Sequence, residues 1–190
     1  MELTGFEALD TDSYLKKYRL TYREREREKK YEIVSRHTYR DVSEVGTKTD
    51  GCSMVVFQKG KLLLLHEFRL GINRVIYNLC AGMVKEGESM EECCARELME
   101  ETGLSLVRIL GIFPPSFASV AISDVRTQIA FVEAKGKPIN SDKTFEPITS
   151  KFYTKNQVKK MLKSCEFSSR AQMMAYFFSE GLFEGFFEKM

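Results

Sequence analysis

Three carboxylates stand close together in the stretch AGMVKEGESMEECCARELMEETGL, residues 81–104. Glu97, Glu100 and Glu101 fall just before Gly103, a residue suited to the left-handed position that ends a helix. Ser89, with Glu92 three residues on, has the spacing of a capping box, so the pattern predicts a helix over about 90–102. At roughly 100° per residue the three glutamates share an arc of about 100°, while Leu98 and Cys94 turn toward a core. Acids at a helix C-terminus oppose the backbone dipole, and each like-charge pair at helical spacing costs about 0.2–0.5 kcal/mol. Two explanations are open from the helix alone. One is a solvated polar face on which Arg96 offsets part of the charge. The other is a divalent cation, for which clustered hard oxygen ligands suit Mg2+ or Mn2+.

The upstream residues separate the two. Gly82, five residues, Glu88, seven residues and then Arg-Glu-Leu-Met-Glu-Glu-Thr-Gly-Leu match the Nudix box at every defined position. The chain resembles the Nudix hydrolases from about residue 50 to 154. The resemblance implies an α/β/α sandwich around a mixed sheet, with the box as a loop–helix–loop. It implies that Glu97 and Glu101 are the principal ligands of Mg2+ or Mn2+, with Glu100 a third and the Ala81 carbonyl a fourth. Gly82 permits that backbone approach. Glu88 and Arg96, by the same resemblance, brace the loop–helix–loop, and Gly103 closes it. The chemistry implied is attack of water on a diphosphate, with the metal neutralising charge and a carboxylate taking the proton.

The segment LLLLHEFRLGINRVIYNLCAGMVKEGE resembles the ADP-ribose pyrophosphatase group. That likeness makes Arg69 the first candidate phosphate ligand and Arg74 a weaker one. It also implies a homodimer formed through an N-terminal hairpin. Two departures stand out. Pro114 and Pro115 come early, and Val125 in Ile122-Ser123-Asp124-Val125 replaces a common glutamate. The expected catalytic carboxylates are therefore Glu100, Glu101 and Glu146, with Asp142 a lesser candidate. The implied activity is Mg2+-dependent hydrolysis of a nucleoside diphosphate linked to another moiety, first ADP-ribose to AMP and ribose 5-phosphate. ADP-sugars or GDP-sugars come next. A Nudix-fold sensor that binds a nucleotide without cleaving it is the alternative of another class. Oxidised nucleoside triphosphates are disfavoured by the long N-terminal hairpin.

These residues need a scaffold. Apolar–polar alternation predicts strands at 17–22 and 31–36, a hairpin with the charged run Arg23 to Lys30 as its solvated connection. Further strands are expected at 52–57, 61–68, 75–80, 105–113, 125–134 and 148–154. Thr154 and Gln157 stand at capping-box spacing for a helix to about Lys163, and a last helix starts near Ser168 with MMAYFF on its buried side. Hairpins with inserted helices favour a mixed sheet. The expected division is an N-terminal extension at 1–45 and a Nudix domain at 46–190. Tyr18, Tyr22 and Phe117 are candidates for stacking on a base, although such rings are more often core. His37 and His66 lack evident partners and are expected to be structural.

Composition sets the remaining bounds. Lys plus Arg number 29 against 27 Asp plus Glu, and a net charge of +2 gives no argument for a nucleic-acid or membrane partner. No apolar run approaches the roughly 20 residues that span a bilayer. The start MELTGFEALD lacks the pattern of a signal peptide. Five cysteines without a CxxC pair read as reduced thiols, most of them buried filler, in a cytoplasmic protein.

Overall fold

Alternation in KYRLTY extends further in both directions than the sequence pattern suggests. The structure, a computed structural model, describes residues 1–140 and 146–185. It divides into two compact units, one of residues 1–50 and 115–127, the other of the described residues in 51–114 and 128–190.

The first unit holds a three-stranded antiparallel sheet of β1 (Glu2–Asp10), β2 (Lys16–Glu24) and β3 (Arg27–Ser35), in that order. Strand β1 is not anticipated by the sequence, because register shifts at Leu3/Gly5 and Ala8/Asp10 interrupt its alternation. The charged run is also not a long connection. Glu24 pairs with Arg27, leaving a two-residue turn in which Arg25 adopts a φ of 55°. The charges instead form cross-strand pairs, among them Arg23 with Glu28 at 3.4 Å and Arg19 with both Glu7 and Glu32 at 3.0 Å.

Tyr18, Leu20, Ile33 and Tyr39 form the core of this unit. The Tyr18 hydroxyl donates to the His37 carbonyl and accepts from the Tyr39 amide. Asp50 is buried, lies 2.6 Å from His37 Nε2, and accepts from the Arg126 amide. His37 thus serves this local network. The Tyr39 hydroxyl donates to Asp124 Oδ2, and burial together with that bond raises its pKa, so it stays a donor. Asp124 is itself buried, Oδ1 has no partner among the described residues, and the other acceptor contact is Gly46 N at 3.3 Å. Tyr39→Phe should therefore destabilise the protein by about 1.5–3 kcal/mol, the range for a lost bond to a buried charge. Urea denaturation followed by fluorescence checks this, and an unchanged midpoint would contradict it.

In the second unit, β4 (Gly51–Gln58) is buried along six successive residues. Such a run marks a strand covered on both faces. It lies within a sheet of order β11-β5-β4-β10-β8, made with β5 (Lys61–Arg69), β8 (Ser105–Ile112), β10 (Arg126–Lys135) and β11 (Ile148–Tyr153). The first two residues of β10 belong to the first unit, where they pair with β9 (Ser116–Phe117). Cys52, Met54 and Val56 pack against Cys93, Cys94 and Leu98 of α1 (Met90–Thr102). Val55 and Leu64 face the other way, toward α2 (Lys155–Met161) and α3 (Ser169–Ser179). Helices therefore cover both faces of the sheet.

The expected strand at 75–80 is two strands. Strand β6 (Arg74–Asn78) pairs with β5, and β7 (Cys80–Met83) pairs with β4. The chain changes neighbours at Leu79. On α3 the buried residues are Ala171, Met174, Ala175, Phe178 and Ser179, whereas Met173 and Tyr176 are more than half exposed, so MMAYFF is not buried as a block. His66 is exposed and stacks on Tyr77 with ring centroids 4.5 Å apart. Four of the cysteines are buried and all five are free thiols. Among the described residues no helix is long and apolar enough to cross a membrane.

Candidate active site

Helix α1 is closed at both ends by its own residues. Ser89 accepts from the Glu92 amide while the Glu92 carboxylate accepts from Ser89, and Gly103, at a φ of 69°, donates its amide to Met99. This fixes the acidic turn against β7. A Cβ added at Gly82 would lie 1.8 Å from Glu97 Cδ, so the carboxylate rests directly on the glycine backbone. Glu97 and Glu101 are 9% and 8% exposed. Glu101 Oε2 accepts from the Ala81 amide at 3.2 Å. Ala81 opposes Ser53 of β4, and in an antiparallel pair a residue whose N–H turns outward turns its carbonyl outward as well. The Ala81 carbonyl therefore leaves β7 on the same edge as the Glu101 contact.

Arg96 ties this turn to the preceding loop. Its Nε and Nη2 donate to the two oxygens of Glu88 at 2.6 and 2.8 Å, Nη1 to Glu97 Oε1 at 2.6 Å, and Nη2 to the Met83 carbonyl at 2.9 Å. Glu88 also accepts from the Lys85 amide. The Arg96 bond, and after it the Lys85 amide, hold the Glu88 carboxyl down to about 2. The folded pKa lies below the ordinary value of 4.5, so this contribution to stability is present above pH 4.5 and is lost as pH falls toward 2. Acid titration of Arg96→Gln should lack the part of the loss in that window that wild type shows. Parallel acid-unfolding curves for the two proteins would contradict the assignment. Glu100 is half exposed, 3.5 Å from Arg96 Nη1 and 4.0 Å from Lys85 Nζ. Behind the turn, burial and then the Glu101 carboxylate push the Cys80 thiol well up, leaving it a neutral neighbour of the acids.

A second polar group lies where β5 ends and β6 begins. Glu67 is 4% exposed and accepts from Asn78 Nδ2 at 2.7 Å. Arg69 Nη1 stands 3.7 Å from both Glu67 Oε1 and Glu146 Oε1. Glu67 is absent from the sequence-derived candidates. Its signal is a charge in register with the inward Leu63 and Leu65 of the strand LLLLHEF. Arg74 is paired on the surface with Glu166 at 2.6 Å, both side chains more than half exposed. Asp142 lies outside the described residues. Of the aromatic candidates, Tyr18 is fully buried in the first unit, Tyr22 packs against its core, and Phe117 lies beneath the Arg126 guanidinium.

The donors around β7 and α1 are hard oxygens, carboxylate and carbonyl, which fits Mg2+ or Mn2+ and not a soft metal. Glycine at 82 is what allows Glu97 to lie against the strand beside them. In this conformation no three His, Cys, Asp or Glu groups among the described residues converge closely enough to cage an ion. A cation held here therefore requires the Glu97, Glu100 and Glu101 side chains to draw together.

Comparison with known proteins gives consistent results. The NUDIX domain family model matches residues 47–177. The NAD-capped RNA hydrolase NudC of Vibrio cholerae is 37% identical over 70 residues, which are 36% of this chain and 26% of that protein. The ADP-ribose pyrophosphatase of Bacillus subtilis is 34% identical over 59 residues, 31% of this chain and 32% of that protein. Putative nudix hydrolase 2 of Caenorhabditis elegans is 26% identical over 107 residues, 54% of this chain and 48% of that one. The chain thus spans between a quarter and half of the length of these relatives. A crystal structure of an ADP compounds hydrolase superimposes with a TM-score of 0.72 at 18% identity, covering 97% of this chain and 94% of the other. That likeness concerns the fold.

Proposed function

The chain belongs to the NUDIX domain family, and from that premise we propose that it hydrolyses the diphosphate bond of a nucleoside diphosphate linked to a further moiety. The observation that carries this is the acidic turn of α1 seated on Gly82, beside an outward Ala81 carbonyl, within an intact box. ADP-ribose is the leading substrate, supported by the Bacillus relative's name. The name of the Vibrio relative adds NAD-linked compounds, including NAD-capped RNA, to the substrates to be tested. The near-balanced charge, which gave no argument for a nucleic-acid partner, does not exclude such a substrate.

Glu97, Glu101 and the Ala81 carbonyl, with Glu100, would hold Mg2+ or Mn2+. Bound there, such a cation would neutralise charge on the diphosphate and lower the pKa of the attacking water. The chain's own residues supply positioning. Arg96, anchored on Glu88, holds the Glu97 carboxylate beside the strand. Arg69, steadied by Glu67, offers its fork to a phosphate oxygen. Glu146 faces that same guanidinium and is the candidate to accept the proton of the water at its carboxylate oxygen.

Residues 1–45 would serve as a dimerisation element, giving a homodimer; a monomer mass in light scattering at micromolar concentration would refute this. The function is tested with ADP-ribose, ADP-glucose, GDP-mannose, NADH and NAD-capped RNA in the presence of Mg2+, with products resolved. Release of AMP from ADP-ribose is the expected result. Tight binding of ADP-ribose without any cleavage would replace the hydrolase by a sensor.

A further inference from the structure

Every arginine of the second unit but one has a carboxylate within ion-pair distance among the described residues. Arg69 stands between Glu67 and Glu146, Arg74 meets Glu166, Arg96 holds Glu88 and Glu97, and Arg108 bonds Glu133. Arg170, in the first turn of α3, is the exception. Its described polar contact is a bond from Nη1 to the Ser53 hydroxyl at 2.5 Å. Ser53 is itself buried, 4% exposed, on β4. Loss of hydration lowers the pKa of Arg170, as expected for a cation drawn from water without a counter-charge. Four donors of its fork are left for another partner.

Its position gives those donors a use. Ser53 is the register partner of Ala81, so Arg170 reaches the rung that carries the outward Ala81 carbonyl. The neighbouring residue Gly82 turns to the opposite face, where Glu97 lies. A guanidinium and an acidic turn thus approach adjacent rungs of β7, Ala81–Ser53 and Gly82–Cys52, from opposite faces. Arg69, the arginine favoured by sequence, has its charge already shared by two acids.

We propose that Arg170 is an anion-binding residue of the active site, with Ser53 aiming its fork at a phosphate oxygen of the diphosphate-linked substrate. This rests on the hydrolase reading for the identity of the substrate, not for the existence of the anion site. A partly buried guanidinium with no carboxylate partner among the described residues is available to a phosphate oxygen of the substrate.

Two measurements test it. Inorganic pyrophosphate is titrated calorimetrically into the metal-free full chain, and KM and kcat for ADP-ribose are measured with Mg2+. For Arg170→Gln, pyrophosphate affinity should fall and KM rise on the order of 30-fold, the scale of a lost charged hydrogen bond, with the melting temperature held. Arg170→Lys keeps the charge without the fork and should fall between, and Ser53→Ala should give a smaller loss. If wild type binds pyrophosphate and Arg170→Gln binds it equally, the assignment is overturned, as it is if wild type binds none. Should Arg170→Gln fail to fold, Arg170→Lys decides: an unchanged KM and pyrophosphate affinity overturns the proposal. Failure of wild type to cleave any diphosphate sinks the hydrolase reading alone, because the pyrophosphate titration still reports on Arg170.

Discussion

Glu101→Gln is expected to lower turnover of the preferred diphosphate about 1000-fold while leaving the fold intact. Glutamine has the shape of glutamate, and its amide oxygen can still accept the Ala81 amide that Glu101 Oε2 accepts now. What disappears is one negative charge from a buried turn that also holds Glu97. The loss should fall on kcat far more than on KM, because the charge acts on the reacting centre and not on substrate recognition. Without metal, the variant should be no less stable than wild type, since like charges at helical spacing repel. Glu100→Gln should cost less, its side chain being half exposed and less constrained. The check is AMP release with Mg2+ beside a thermal melt. Full turnover by Glu101→Gln would remove the carboxylate turn from the chemistry.

Gly82→Ala is expected to damage stability and activity together. The added methyl would meet Glu97 Cδ at 1.8 Å, Oε1 at 2.1 Å and Cγ at 2.2 Å, all far inside contact distance. Glu97 cannot simply swing away, because Arg96 holds its carboxylate at 2.6 Å and Arg96 is itself clamped by Glu88. Either that clamp breaks or β7 moves from β4, where Gly51 already packs on the Gly82 carbonyl. Overpacking of this kind costs about 1–3 kcal/mol or more. In a chain of this size that lowers the melting temperature by about 2–4 °C per kcal/mol. Gly71→Ala is the control, for a Cβ there meets nothing within 4 Å and φ is not positive. Equal melting temperatures and rates for the two variants would contradict the close approach of Glu97 to the strand.

The parts of the fold that rest on local spacing were readable beforehand. Both capping boxes, at Ser89 and Thr154, begin helices where expected, because their signal lies within a single turn. The family membership followed from residues 82–104 alone, where loop, helix and glycine stop recur at set intervals. What was not legible depends on partners distant in sequence. Strand β1 is held by pairing with β2 across two register shifts, which erase its alternation. The break at Leu79 reflects a change of neighbour from β5 to β4, and in VIYNLC only the single polar residue Asn78 stands near it. Glu67 could have been found as a charge at an inward strand position. Arg170 could not, since its partner Ser53 lies 117 residues away and neither residue is unusual in its own segment.

Helix α1 starts on Ser89 and stops at Gly103, both contacts being made within four residues along the chain. Contacts of such short range cost little chain entropy, so this segment can organise early in folding, ahead of the long-range pairing of β5 with β11. The helix that carries the three glutamates is then formed by local contacts, and only the drawing together of their carboxylates is left for a bound ion to direct.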